Sequence, residues 1–219
     1  MCLFCCPTGP LSDSEKQNNK HAGPMSQYEG AQQTFDIPLC RVWCCSSACP
    51  CCLLTMLCYC PVQVCMRYKA LNHVDPQSGW RNYKCCQGYF GGCCCLQPGN
   101  CGEQCCPCPC MCLESVCCPG LAVSATSLVI REHYRLGLDK DDIRLIRCSN
   151  CLQVLACCCY LAACLTDSEE VDCAAHVTGW LADIVFCSVA GCMTAQVHHE
   201  MVKRNRSLSS APTRQAMNR

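Results

Sequence analysis

The chain has 219 residues, 34 of them cysteine, and its 17 lysine and arginine residues equal its 17 aspartate and glutamate residues. Balanced charge and sparse aromatic residues remove the basic field and the stacking platforms that nucleic-acid binding needs, so no nucleic-acid partner is expected. The opening MCLFCCPTGPLSDSEKQNNK has a short apolar start, no leading basic group and then a polar run, unlike a secretory signal. The cysteines are therefore expected to stay reduced rather than to form a disulfide scaffold.

Residues 1–34 are rich in polar residues and read as a disordered tail. Cys2, Cys5 and Cys6 lie there beside Leu3 and Phe4, a setting suited to S-acylation (palmitoylation). Residues 35–71 form an apolar, cysteine-rich helical segment. From Val42 to Met66 no charged residue occurs, a run long enough to cross a hydrocarbon core of about 30 Å. Pro50, Pro61 and several polar residues interrupt it, which favours a broken or re-entrant segment over a straight span.

Residues 72–119 form a block rich in Cys, Gly and Pro, including DPQSGW, GYFGG and QPGNCGEQ. No helical or strand period is visible in it, so a crosslink, a metal ion or a packing partner is needed to order it. Residues 120–203 are helical. GLAVSATSLVIREHYRL carries Leu121, Ala125, Leu128 and Val129 at helical spacing. A second helix opens at Asp139, with acids in its first turn. TDSE, Thr166 to Glu169, reads as a capping box that opens a third helix ending near Val202.

Residues 204–219 read as a disordered basic tail, where Arg204 and Arg206 precede Ser207 and Ser209, two candidate phosphorylation sites. Basic residues flank the last two helices and acids fill the connection between them, as in a hairpin inserted from the cytoplasm with both termini on that side. Asp183 opposes insertion, at about 2.5–3.5 kcal/mol at a bilayer centre. A helical pair packed on itself in water fits equally. The fold expected is mainly α: a membrane-associated helical hairpin or small helical bundle with an irregular central block.

Two stretches share the spacing C-x4-C-P-C: Cys44, Cys49 and Cys51, and Cys101, Cys106 and Cys108. Downstream of the second come Arg131-Glu-His-Tyr134-Arg-Leu136 and then Cys148-Ser-Asn-Cys151-Leu-Gln153. This order resembles the placenta-specific-eight family, the cysteine-rich group that includes cornifelin, plant cadmium-resistance proteins and plant cell-number regulators. The resemblance covers about Cys101 to Gln153; the family's Arg-Glu pair after the Gln is replaced by Val154 and Leu155, and NYKCCQGYFGGCCC has no counterpart. It implies a membrane-associated, non-enzymatic protein, with relatives linked to heavy-metal tolerance, calcium influx and control of cell proliferation.

The thiols themselves admit three readings. Soft thiolates select zinc, copper(I) and similar ions, and Cys101, Cys105, Cys106, Cys108 and Cys110 can supply a tetrahedral set, with Cys148 and Cys151 as a second pair. The N-terminal cysteines suit lipid attachment. Cys157, Cys158, Cys159, Cys164, Cys187 and Cys192 sit among Ala, Leu and Val as small packing residues. No catalytic motif appears, so the protein is expected to be no enzyme. Two functions follow: a membrane-associated regulator or component of metal-ion or calcium handling, or a soluble intracellular metal-binding scaffold or adaptor. Membrane, metal ion and a second copy of the chain are the expected partners.

Overall fold

The computed structural model describes residues 31, 33–45, 48–77, 79–90, 98–100, 102–166 and 168–210, with side chains through Ser207. The described residues form six α-helices and no strand: α1 Cys49–Leu57, α2 Tyr59–Val74, α3 Pro107–Cys117, α4 Pro119–Tyr134, α5 Lys140–Leu165 and α6 Glu169–Ser210. Short 3-10 turns at Leu39–Cys44, Gly79–Asn82 and Cys85–Gly88 complete the described structure.

Prolines start helices here more than they stop them. Pro50, Pro107 and Pro119 each lie in the first turn of a helix, where the missing N–H is not needed and the fixed φ is already helical. Cys106 and Cys118 precede proline and are pushed out of the helical region, to φ −137° and −136°. This makes the corner between α3 and α4, and the 11 residues of α3 give part of the block expected to be irregular a helix of its own. The uncharged run is likewise broken, at Cys58 between α1 and α2.

Asp139 caps α5 as expected, its side chain accepting from the Asp141 N–H at 2.9 Å. Thr166 does not open the next helix. It closes α5, donating both its N–H and its hydroxyl to the Ala162 carbonyl. α6 runs on to Ser210, past the Val202 at which the sequence pattern ends it.

α6 is the spine, packing on α5, α1, α4, α2 and the turn Leu39–Cys44. One core gathers Val62, Met66, Leu71, Met111, Ile130, Leu136 and Met201. A second joins Leu39, Val42, Cys52, Cys192 and Met193. Away from these the α5–α6 pair is held by Cys148, Leu152, Ala156 and Ala182, with Val185 packed against them and Gln153 donating to the Ala182 carbonyl at 3.2 Å. Both helices are long and apolar enough to cross a membrane by length and composition, with 22 % and 39 % of their most apolar stretches buried. A core helix of a soluble protein meets the same criterion, so the fold fits a soluble bundle equally well.

Among the described residues Arg67, Glu103, Glu114, Arg131, Asp142 and Glu200 are buried. Arg131 of α4 pairs with Asp142 of α5 at 3.4 Å and lies over the Phe35 ring, 4.3 Å from its centroid. Asp142 also accepts the Leu39 N–H at 2.9 Å and the Gln196 amide at 3.1 Å. Burial pushes the Asp142 carboxyl up, against the opposing pull of these donors. The Arg131 and Leu136 of the family-like motif are thus core residues, and Tyr134 lies under the Arg204 guanidinium, 4.6 Å from ring centroid to charge.

Candidate metal centre

Glu114 is the lone acid between Glu103 and Glu132, on a helix otherwise made of small and apolar residues. It points into the bundle, where α2 supplies Arg67, fully buried, with its Nη2 2.9 Å from Glu114 Oε1. Arg67 further donates to Thr126 Oγ1 at 2.9 Å and to the Ala122 carbonyl at 2.8 Å, both on α4. Glu114 Oε2 accepts the Tyr83 hydroxyl at 2.9 Å and the Cys86 N–H at 2.8 Å. A carboxylate has about four lone-pair sites; three are used and one remains on Oε1.

The turn Cys85–Gly88 carries two thiols to this carboxylate. Cys86, Gln87 and Gly88 all take positive φ, at 47°, 51° and 76°. Only the glycine does so without steric cost, so Cys86 and Gln87 store strain that the surroundings must hold. The Cys86 N–H bond to Glu114 holds it on one side. On the other, the Gln87 side chain accepts the Lys84 N–H at 2.9 Å and donates to the Asn82 carbonyl at 3.0 Å. The Cys85 N–H is fixed by Glu103 Oε1 at 3.0 Å, and Glu103 Oε2 takes the Gly99 N–H at 2.6 Å.

The result is that the two sulfurs and a Glu114 oxygen lie within 4.8 Å of one another. Burial, and after it the Glu114 charge, pushes the Cys85 thiol up to about 11 and the Cys86 thiol higher still. Without a cation both stay protonated. A divalent ion reverses this balance: Arg67 already neutralises Glu114, so two thiolates would match the ion's charge. Sulfur with one carboxylate oxygen is a donor set that zinc accepts, and the thiols select against calcium and magnesium.

The cysteines singled out from the sequence are placed differently. Cys101 is outside the described residues, as are Cys2, Cys5 and Cys6. Cys105, Cys106 and Cys108 are exposed and Cys110 is half-buried at the start of α3. Cys148 is buried in the α5–α6 contact and Cys151 half-buried one turn on. Among the described residues none of these belongs to a cluster of three ligand groups; the one such cluster is Cys85, Cys86 and Glu114. Ser207 is exposed in the last turns of α6 and donates to the Arg204 carbonyl at 2.8 Å; the Ser209 side chain is outside the described residues. The signal for the centre was present in the sequence as a vicinal Cys pair and a single acid in an uncharged stretch, joined only by the fold.

The fold and site define a helical, cysteine-rich protein with a candidate Cys/Cys/Glu metal centre. No protein family, curated protein or solved structure matches the chain.

Proposed function

We propose that this chain is a non-enzymatic metal-binding scaffold or adaptor, holding zinc or another thiophilic divalent ion at Cys85, Cys86 and Glu114. The observation that carries the reading is the convergence of two thiols and a buried carboxylate within 4.8 Å on a strained turn. Bound there, the ion ties the turn after α2 to α3 and so orders the Gly/Pro-rich loop between them. Arg67 and Tyr83 hold Glu114 in place, and Glu103 positions Cys85. The test is elemental analysis of protein purified with reductant and without chelator. About one zinc per chain is expected, lost in Cys85→Ser with Cys86→Ser; metal-free protein, or metal retained in that variant, overturns the reading.

A second reading is favoured by the exposed apolar side chains of α5 and α6, among them Leu161, Leu165, Val177, Trp180 and Ile184. In it the protein is a membrane-associated regulator or component of metal-ion or calcium handling, related to the placenta-specific-eight family. Both termini face the cytoplasm, Cys2, Cys5 and Cys6 are acylated, and Ser207 and Ser209 accept phosphate beside basic residues. Carbonate washing separates the readings: an inserted hairpin stays in the pellet, and a scaffold is released.

A further inference from the structure

The stretch CPCPCMC takes no part in the centre above, yet it meets a thiol on another helix. Winding it into α3 puts Cys108 and Cys112 four positions apart, on one helix face. Cys60, in the first turn of α2, comes to that face, where its thiol donates to the Cys112 carbonyl oxygen at 3.7 Å. Hydrogen bonds link the three thiols in series, Cys108 with Cys112 and Cys112 with Cys60. Cys108 is exposed and the other two are half-buried, so the group opens to solvent on one side.

Only one pairing within this group suits a disulfide. Residues four apart on a helix hold their Cβ atoms about 5–6 Å apart, whereas a disulfide needs about 3.5–4.5 Å, so Cys108 and Cys112 cannot join while α3 stays wound. Cys60 and Cys112 stand on separate helices and are free of that limit. Burial, and after it the neighbouring Cys60, pushes the Cys112 thiol up, which makes Cys112 a poor first nucleophile. Its place is the second step, against a sulfur already beside it.

We propose that Cys60 and Cys112 form a reversible disulfide in the presence of peroxide, a redox clasp between α2 and α3. The Cys60 sulfur attacks one oxygen of hydrogen peroxide, the O–O bond breaks, and a sulfenic acid forms as the other oxygen leaves as water. The Cys112 sulfur then attacks the Cys60 sulfur, the S–O bond breaks, and the hydroxyl leaves with the Cys112 proton as a second water. Two thiols lose two electrons and one peroxide gains them. Two equivalents of a small thiol reverse the reaction by exchange. The clasp pins the crossing of α2 and α3, the same crossing on which Arg67 and Glu114 meet.

The clasp does not rest on a bound ion, so the experiment is run on the reduced full chain in excess zinc and again in chelator, with the same result expected in both. The chain takes one equivalent of hydrogen peroxide, is quenched with excess alkylating agent, and its modified and linked cysteines are located by mass spectrometry. A linked Cys60–Cys112 pair is expected, protected from alkylation at least fivefold more than the exposed Cys58 and Cys117, with Cys108 still alkylated and dithiothreitol restoring both thiols. Cys108→Ser keeps the linkage, and Cys60→Ser abolishes it and returns Cys112 to alkylation with helix content by circular dichroism unchanged. The location of the linkage in the unaltered chain decides the matter if a variant fails to fold. A Cys108–Cys112 linkage, a different principal pair, or protection below fivefold overturns the proposal and leaves Cys60 and Cys112 as packing residues.

Discussion

At Arg67 a single side chain joins three helices, through Glu114 on α3 and through Thr126 and the Ala122 carbonyl on α4. Removing one partner of a buried ion pair leaves the other charge unmatched, so Arg67→Ala is expected to cost about 3–5 kcal/mol in urea denaturation. Arg67→Lys should recover little, because an ammonium cannot reach all three acceptors at once as the guanidinium fork does. The thiols set a pH window. Cys85 titrates at about 11 in the fold against an ordinary 9.0, so between those values the unfolded chain releases a proton that the fold keeps. Stability of the metal-free protein is therefore whole below about pH 9 and falls as pH rises toward 11. With zinc bound that alkaline loss should vanish, and acidification should instead weaken zinc binding by about a hundredfold per pH unit, for two protons. Melting curves with and without zinc from pH 7 to 11 check both. None of this was legible residue by residue. The acceptor for Arg67 lies 47 positions away and that for the Cys86 N–H 28 away, distances that only the crossing of α2 and α3 brings to bonding range.

The helices were legible in proportion to how local their signals are. Asp139 and its following acids announce α5, and the apolar period of GLAVSATSLVIREHYRL announces α4, because caps and faces are written within a few residues. α3 was not legible. CPCPCMC shows no helical period, yet both of its prolines fall within the first turn, where the helix needs no donor, and packing of Met111 and Glu114 against α2 stabilises the remainder. Of the sulfurs expected to bind metal in that stretch, Cys105, Cys106 and Cys108 are exposed and Cys110 is half-buried. The α1–α6 contact depends on one absent methyl group. Gly191→Ala puts a Cβ 3.0 Å from backbone as well as sulfur, and backbone cannot rotate away. A loss of about 1–3 kcal/mol is expected in thermal or denaturant unfolding, the usual cost of overpacking. Gly120→Ala is the control, since its nearest neighbour, the Phe186 ring edge, is at an ordinary 3.7 Å, and its first-turn position tolerates alanine.

Among the described residues the molecule is a body with buried ion pairs and an arm without them. The arm, the connected ends of α5 and α6, exposes Leu165 at 86 % and Trp180 at 72 %. Apolar surface of that extent on adjoining helices calls for a cover. A bilayer would cover it, but Asp183 stands among these residues, beside Tyr160 and Gln153, and the acids Glu169, Glu170 and Asp172 lead into α6. Carrying Asp183 into hydrocarbon opposes insertion by about 2.5–3.5 kcal/mol, whereas a second copy of the chain can cover Trp180 and Leu181 and leave the carboxylate in water. Gly179 adds a reason for the arm to keep its shape: its missing side chain receives the Tyr160 ring, which a Cβ would meet at 3.0 Å or less, so α5 and α6 stay close and present one joint face. The expected state of the reduced full chain in buffer is therefore a dimer through the arm, read by light scattering. Trp180→Ser with Leu181→Ser removes two side chains worth about 1.5–3 kcal/mol each when covered, and should raise the dissociation constant about a hundredfold or more. A monomer that instead floats with phosphatidylcholine vesicles would assign the arm to the bilayer, and Asp183→Asn would then tighten that attachment, since it removes the charge that opposes entry.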